Sequence, residues 1–167
     1  MTGRTATDRD TDDLQLPRRT GGRPETTPMN PHQQLDQTAP TSIQEELWRR
    51  MASLEGVRTG RSGVSLPETR AVHLDPGLAR GPQEAFLVGT EFAHLHGAPD
   101  GSLHVTLPGA VAGEAIDKGW AELHPMARRG LAPATLVMLY GPRDPAELET
   151  IWQLVEVSYA FARGVTD

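Results

Sequence analysis

His94, His96 and His104 fall within eleven residues, in Glu91-Phe-Ala-His-Leu-His-Gly-Ala-Pro-Asp-Gly-Ser-Leu-His-Val-Thr-Leu107. Imidazole suits two kinds of work. Neutral, it is the commonest metal ligand; with an ordinary pKa of about 6.5 it also moves protons at neutral pH. A His-x-His pair on a strand projects two rings to one side. A third ring from a paired strand completes a facial set that leaves a position for water or substrate, so His94, His96 and His104 are candidate metal ligands. His124, in Glu122-Leu-His-Pro125, is a fourth candidate, and Glu122 shares its face if that segment is extended. The chain has no cysteine, which leaves zinc, iron, manganese, nickel and copper as metals for a nitrogen-rich site.

The same residues support chemistry without a metal. His96, His104 or His124 would then be the general acid or base, oriented by Glu91 or Glu122, with the other rings binding a polar substrate. Ser102 is a hydrogen-bond donor to that substrate or a nucleophile beside His104, although no Gly-x-Ser-x-Gly elbow surrounds it. Arg128, next to Arg129, and Arg143 are candidate clamps for a carboxylate or phosphate, and Trp120 is a candidate wall of the pocket. A third reading makes the histidines half-buried polar side chains with a structural role. His73, on an expected strand, and His32, near the N-terminus, stand apart from the group.

These roles depend on a β-hairpin. Pro99-Asp100-Gly101 reads as a three-residue turn that pairs Ala98 with Ser102, His96 with His104 and His94 with Thr106. All three imidazoles then share a face, whereas a two-residue turn at Asp100-Gly101 would send His104 to the other side. Around the hairpin, Ser42 and Glu45 form an expected capping box for a helix carrying Ile43, Leu47, Met51 and Leu54, with Gly56 as its stop. Val64–Leu66 and Ala71–Leu74 read as strands, and Glu84–His96 as a long extended segment with a bulge or a close backbone approach at Gly89. Pro108 to Lys118 reads as a helix stopped by Gly119, where Trp120 makes the contact that accompanies such a cap; 121–125 is extended. Ala134–Tyr140 is an apolar run expected to be a central strand. Asp144, Pro145 and Glu147 open a last helix whose stripe is Leu148, Ile151, Trp152, Val155, Tyr159 and Ala162, ending at Gly164. The order predicts an α+β domain with a mainly antiparallel sheet packed by N-terminal, middle and C-terminal helices.

Residues 1–40 contain no Phe, Trp, Tyr, Ile or Val and are rich in Thr, Pro, Gly, Asp and Arg, so they are expected to be a disordered tail before a single domain over 41–167. That domain has room for a core and one small pocket but not for a (β/α)₈ barrel, which needs on the order of 250 residues. With a net charge of −6 and no basic stretch interleaved with aromatics, nucleic acid is not an expected partner. No membrane span, signal-peptide core or Gly-rich nucleotide fingerprint is visible, so a cytoplasmic protein acting on a small molecule is expected, with no flavin or nucleotide and a divalent metal as the candidate cofactor.

Five short motifs occur in order: His94-Leu-His96, Asp100-Gly-Ser-Leu-His104, Leu107-Pro108, Gly119-Trp-Ala-Glu-Leu-His-Pro125 and Tyr140-Gly-Pro-Arg-Asp144. Over roughly residues 54 to 163 the chain resembles a small bacterial and fungal family known as the luciferase domain. It departs from the pattern at Gly97, where a proline is expected. The resemblance points to the same histidine-rich segments without naming a reaction. It does not extend to the flavin-dependent bacterial luciferases, which are (β/α)₈ barrels. Two functions follow: a small-molecule enzyme, metal-assisted or using histidine acid/base chemistry, as in a metabolite-tailoring step, or a non-catalytic ligand-binding or accessory module.

Overall fold

The computed structural model describes residues 14–165. Six strands, β1 (Val57–Arg61), β2 (Arg70–Leu74), β3 (Glu91–Leu95), β4 (Leu103–Thr106), β5 (Ala121–Leu123) and β6 (Leu136–Leu139), form one antiparallel sheet in the order β1-β2-β3-β4-β6-β5. The helices are α1 (Thr41–Ala52), α2 (Gly109–Asp117), the single-turn α3 (Pro125–Arg128) and α4 (Pro145–Arg163). The fold is α+β, as expected, and the apolar run of β6 lies inside the sheet, between β4 and β5.

Alternation divides the sheet into two faces. Val72, Ala93, Leu95, Leu103, Val105, Val137 and Leu139 join Leu47, Met51, Leu148, Ile151, Leu154 and Val155 in one core. The stripe of α4 thus buries against β3 and β4, with α1 beside it. Burial of each such side chain contributes about 1.5–3 kcal/mol, which is what holds the strands in register. Helix α4 starts as its sequence requires: the Asp144 side chain accepts from the Glu147 N–H at 2.8 Å, and Gly164 closes it in the left-handed region at φ 72°.

Several local expectations are corrected. Helix α1 begins at Thr41 with Pro40 as N-cap and has no capping box: the Pro40 carbonyl receives the N–H groups of Ile43 and Gln44, and Glu45 pairs with Arg70 at 2.9 Å. Val64–Leu66 is not a strand. Val57–Arg61 is, and beyond it the Ser62 hydroxyl and the Gly63 N–H turn inward to Glu91, which diverts the chain into a loop. The segment 84–96 is not continuously extended: a 3₁₀ turn occupies Gln83–Ala85, and Gly89 (φ 56°) lies in the turn before β3.

The largest correction is at the N-terminus. Residues 1–13 of the expected tail lie outside the described residues, but 14–40 form an ordered arm. Leu16 is 2% exposed and His32 3%. Hydrogen bonds hold the arm: Arg19 N to the Lys118 carbonyl (2.9 Å), Trp120 Nε1 to the Pro17 carbonyl (2.6 Å), Arg23 to the Ala121 carbonyl (2.8 Å) and Gly141 N to Gln34 Oε1 (2.9 Å). The arm lacks the apolar bulk that composition measures and substitutes long-range polar contacts. No helix among the described residues is long and apolar enough to cross a membrane.

Candidate functional site

The histidines occupy the sheet face opposite the helix-packed core. β3 and β4 pair His94 with His104 and Leu95 with Leu103, and His96 N donates to the Ser102 carbonyl at 2.9 Å. This register is two residues away from the one the three-residue turn implied. The loop is 97–101, closed by Asp100, whose Oδ1 accepts the Ser102 N–H at 2.9 Å and whose N–H donates to the Gly97 carbonyl. A shift of two preserves the face, so His94, His96 and His104 still project together.

A β-bulge adds Glu91 to this face. β2 pairs Val72 with Ala93 but His73 with Glu91, so Phe92 is the extra residue. In a regular strand, residues three apart point to opposite faces. Here Glu91 Oε1 lies 2.9 Å from His94 Nδ1, both groups buried. Burial works to raise the Glu91 carboxyl, but bonds from His94, Ser62 and Gly63 outweigh it and hold the pKa below the ordinary carboxylate value.

Five imidazoles meet around His104. His94 Nε2 is 2.9 Å and His96 Nε2 3.2 Å from His104 Nδ1, while His32 Nδ1 is 2.9 Å from His104 Nε2. The His124 ring lies edge-on to His104 with centroids 4.7 Å apart. Burial, then the four neighbouring imidazoles, pushes His104 well below the ordinary histidine pKa. Burial likewise lowers His94, and brings His124 to about 4. All three are neutral at neutral pH, the ligand form.

Two sets of three can bring ring nitrogens within 4.8 Å of one another: His94, His96 and His104, and His32, His104 and His124. Protons tell them apart. His94 Nδ1 faces the Glu91 carboxylate, and His96 Nδ1 faces Ser102 Oγ at 2.9 Å, whose own proton goes to Asp100. Both rings therefore carry hydrogen on Nδ1 and turn an Nε2 lone pair toward His104. In the second set, His124 Nδ1 accepts the Met126 N–H at 3.1 Å, so its Nε2 holds the proton, and His32 and His104 share another. The first set offers lone pairs and the second is filled by hydrogen.

These rings form the floor of a cavity of about 540 Å³ with walls that include Val64, Leu66, Leu87, Met126, Leu131 and Leu136. Glu122 stands one imidazole behind the floor, bound by His32 Nε2 (3.0 Å), Tyr140 Oη (3.0 Å), Thr26 Oγ1 and Arg128 (2.9 Å). Arg128 thus meets Glu122 and does not line the cavity. Ser102 is fully buried and orients His96; its proton is given to Asp100, which does not suit a nucleophile. Trp120 belongs to the core and ties down the arm, and Arg143 is bound by Glu147 and the Thr20 carbonyl, so neither reaches the cavity. His32 was not foreseen, because no local pattern links it to residues 72 and 90 positions away. Glu91 was expected to orient a histidine, and it does so at His94; the bulge that brings the two together was not foreseen.

Residues 89–158 match the family model described as Luciferase domain. That stretch is similar to the Luciferase domain. The resemblance read from the motifs holds over it, and it contains Glu91, His94, His96, His104, Glu122 and His124, but not His32. Proteins named luciferase from Armillaria gallica and Armillaria mellea are each 33% identical to the chain over 73 residues, which is 42% of this chain and 27% of theirs. The luciferase of Neonothopanus nambi is 34% identical over 73 residues with the same coverage. The chain spans about a quarter of the length of these curated relatives. No solved structure matches.

Proposed function

We propose that this Luciferase-domain chain is an enzyme acting on a small, mainly apolar molecule, with a divalent first-row metal held by His94, His96 and His104. The observation that carries this reading is the convergence of three ring nitrogens whose far sides are fixed by Glu91, by Ser102 with Asp100, and by His32. Nitrogens around a tetrahedral ion at about 2.0–2.1 Å stand about 3.3 Å apart, close to the 2.9 and 3.2 Å seen here. Imidazoles that bind such ions usually donate their other N–H to a carboxylate, a carbonyl or water. Held by these three rings, such an ion would supply Lewis-acid chemistry at the floor of the cavity.

The chain's own residues supply the rest. The apolar walls exclude water and hold the body of the substrate, whose polar end meets the floor. His124 presents an Nε2–H to that end as a hydrogen-bond donor. The same donor supports a second reading, histidine acid/base catalysis without a metal. From the name of the fungal relatives we carry over only the class of enzyme acting on a small molecule.

Elemental analysis of protein purified without a His-tag tests the metal, beside a His96→Ala/His104→Ala double variant. Near-stoichiometric metal in the parent and none in the variant is the expected result. A parent that is folded, metal-free and unable to take up added zinc or iron overturns the metal reading and leaves acid/base chemistry.

A further inference from the structure

We propose that His32 and Glu122 are positioning residues: a carboxylate–imidazole relay that fixes His104 with hydrogen on Nε2 and so frees Nδ1 as a ligand. This rests on the metal reading above and extends it to a residue outside the family-matched stretch.

The relay follows from counting protons. Glu122 receives hydrogen bonds from Tyr140, Thr26 and Arg128, as an ionised carboxylate does, and so it accepts from His32 as well. His32 Nε2, at 3.0 Å, therefore carries hydrogen. In the neutral ring His32 Nδ1 is then a lone pair. His104 Nε2 lies 2.9 Å from it and must donate. A neutral His104 so constrained has its Nδ1 lone pair facing His94 and His96. Without His32, no other described residue places the His104 proton on the side away from those rings. The two rings meet edge to edge and lie near one plane, with centroids 5.0 Å apart and planes at 22°, as this hydrogen bond requires.

Burial of His32 is explained by the same count. Its side chain is fully enclosed, and the residue reaches the site on an arm with little apolar surface of its own. A core-filling role asks only for volume, which phenylalanine supplies. A relay asks for an acceptor at the Nδ1 position, which the asparagine side chain oxygen supplies.

The test uses the full chain and two variants, His32→Phe and His32→Asn. Imidazole ¹⁵N spectra give the tautomer of His104, and competition with a chromophoric chelator gives zinc affinity. The expected parent has His104 with hydrogen on Nε2. In His32→Phe the proton redistributes to Nδ1 and zinc affinity falls 10–100-fold, the usual effect of losing the group that orients a metal-binding ring. His32→Asn restores the parent tautomer and brings affinity back to within a few-fold. Hydrogen on Nδ1 of His104 in the parent, or unchanged tautomer and affinity in His32→Phe, overturns the relay. A parent with the expected tautomer that binds no zinc overturns the metal reading and leaves the relay standing.

Discussion

Each imidazole of the cluster has a partner for its second nitrogen, and those partners decide what the first can do. Glu91 is the most exacting of them, because it is buried and binds His94, Ser62 and Gly63 together. Glu91→Gln is expected to lower zinc affinity 10–100-fold, measured against a competing chelator, because the amide no longer holds the His94 proton on Nδ1. The neutral rings also set a pH dependence. His94, His104 and His124 bind protons less readily in the folded chain than in the unfolded one, where their pKa is about 6.5. As pH falls from about 6.5 toward about 4, the value for His124, the unfolded state takes up protons that the folded state refuses, and stability drops. The expected result is a thermal midpoint lower at pH 5 than at pH 7, with His124→Gln reducing the proton uptake on unfolding. A midpoint constant across that range would contradict neutral buried rings.

The elements that hold these residues were unevenly legible in the sequence. The shared face of His94, His96 and His104 was, because period-two alternation survives a two-residue error in register. Helix α4 was, because Asp144, Pro145 and Gly164 sit where helix ends need them. The capping box at Ser42 failed because Glu45 has a tertiary partner in Arg70, which local pattern cannot show. The bulge at Phe92 was hidden for a similar reason: it is a property of pairing with β2, and the glycine nearby drew the expectation instead. It also makes a sharp forecast. Removing Phe92 regularises β3 and turns Glu91 toward the apolar core, where an unpaired carboxylate costs several kcal/mol. A Phe92 deletion should fail to fold, whereas Phe92→Leu, which keeps the residue count, should fold; circular dichroism distinguishes them.

At the scale of the molecule, the site is closed by two distant stretches of chain. The sheet supplies four histidines and the arm supplies the fifth, and composition alone made the arm look free. Apart from Leu16, its anchors are mainly polar and each is modest in strength, so it should be the first part to open. Trp120→Phe removes the bond from the ring nitrogen to the Pro17 carbonyl. We expect a loss of about 1 kcal/mol in denaturant unfolding, with faster proteolysis within 14–35 while the amides of β3 and β4 stay protected from hydrogen exchange. Equal protection of arm and strands would show that they open as one unit. The arm also imposes an order of assembly on the newborn chain. It leaves the ribosome before the sheet, and its docking partners Trp120, Gly141 and Arg143 come about a hundred residues later, roughly 5–20 s at ordinary rates of synthesis. His32 therefore cannot take its place over the histidine face until the segment carrying Gly141 and Arg143 has followed that face out.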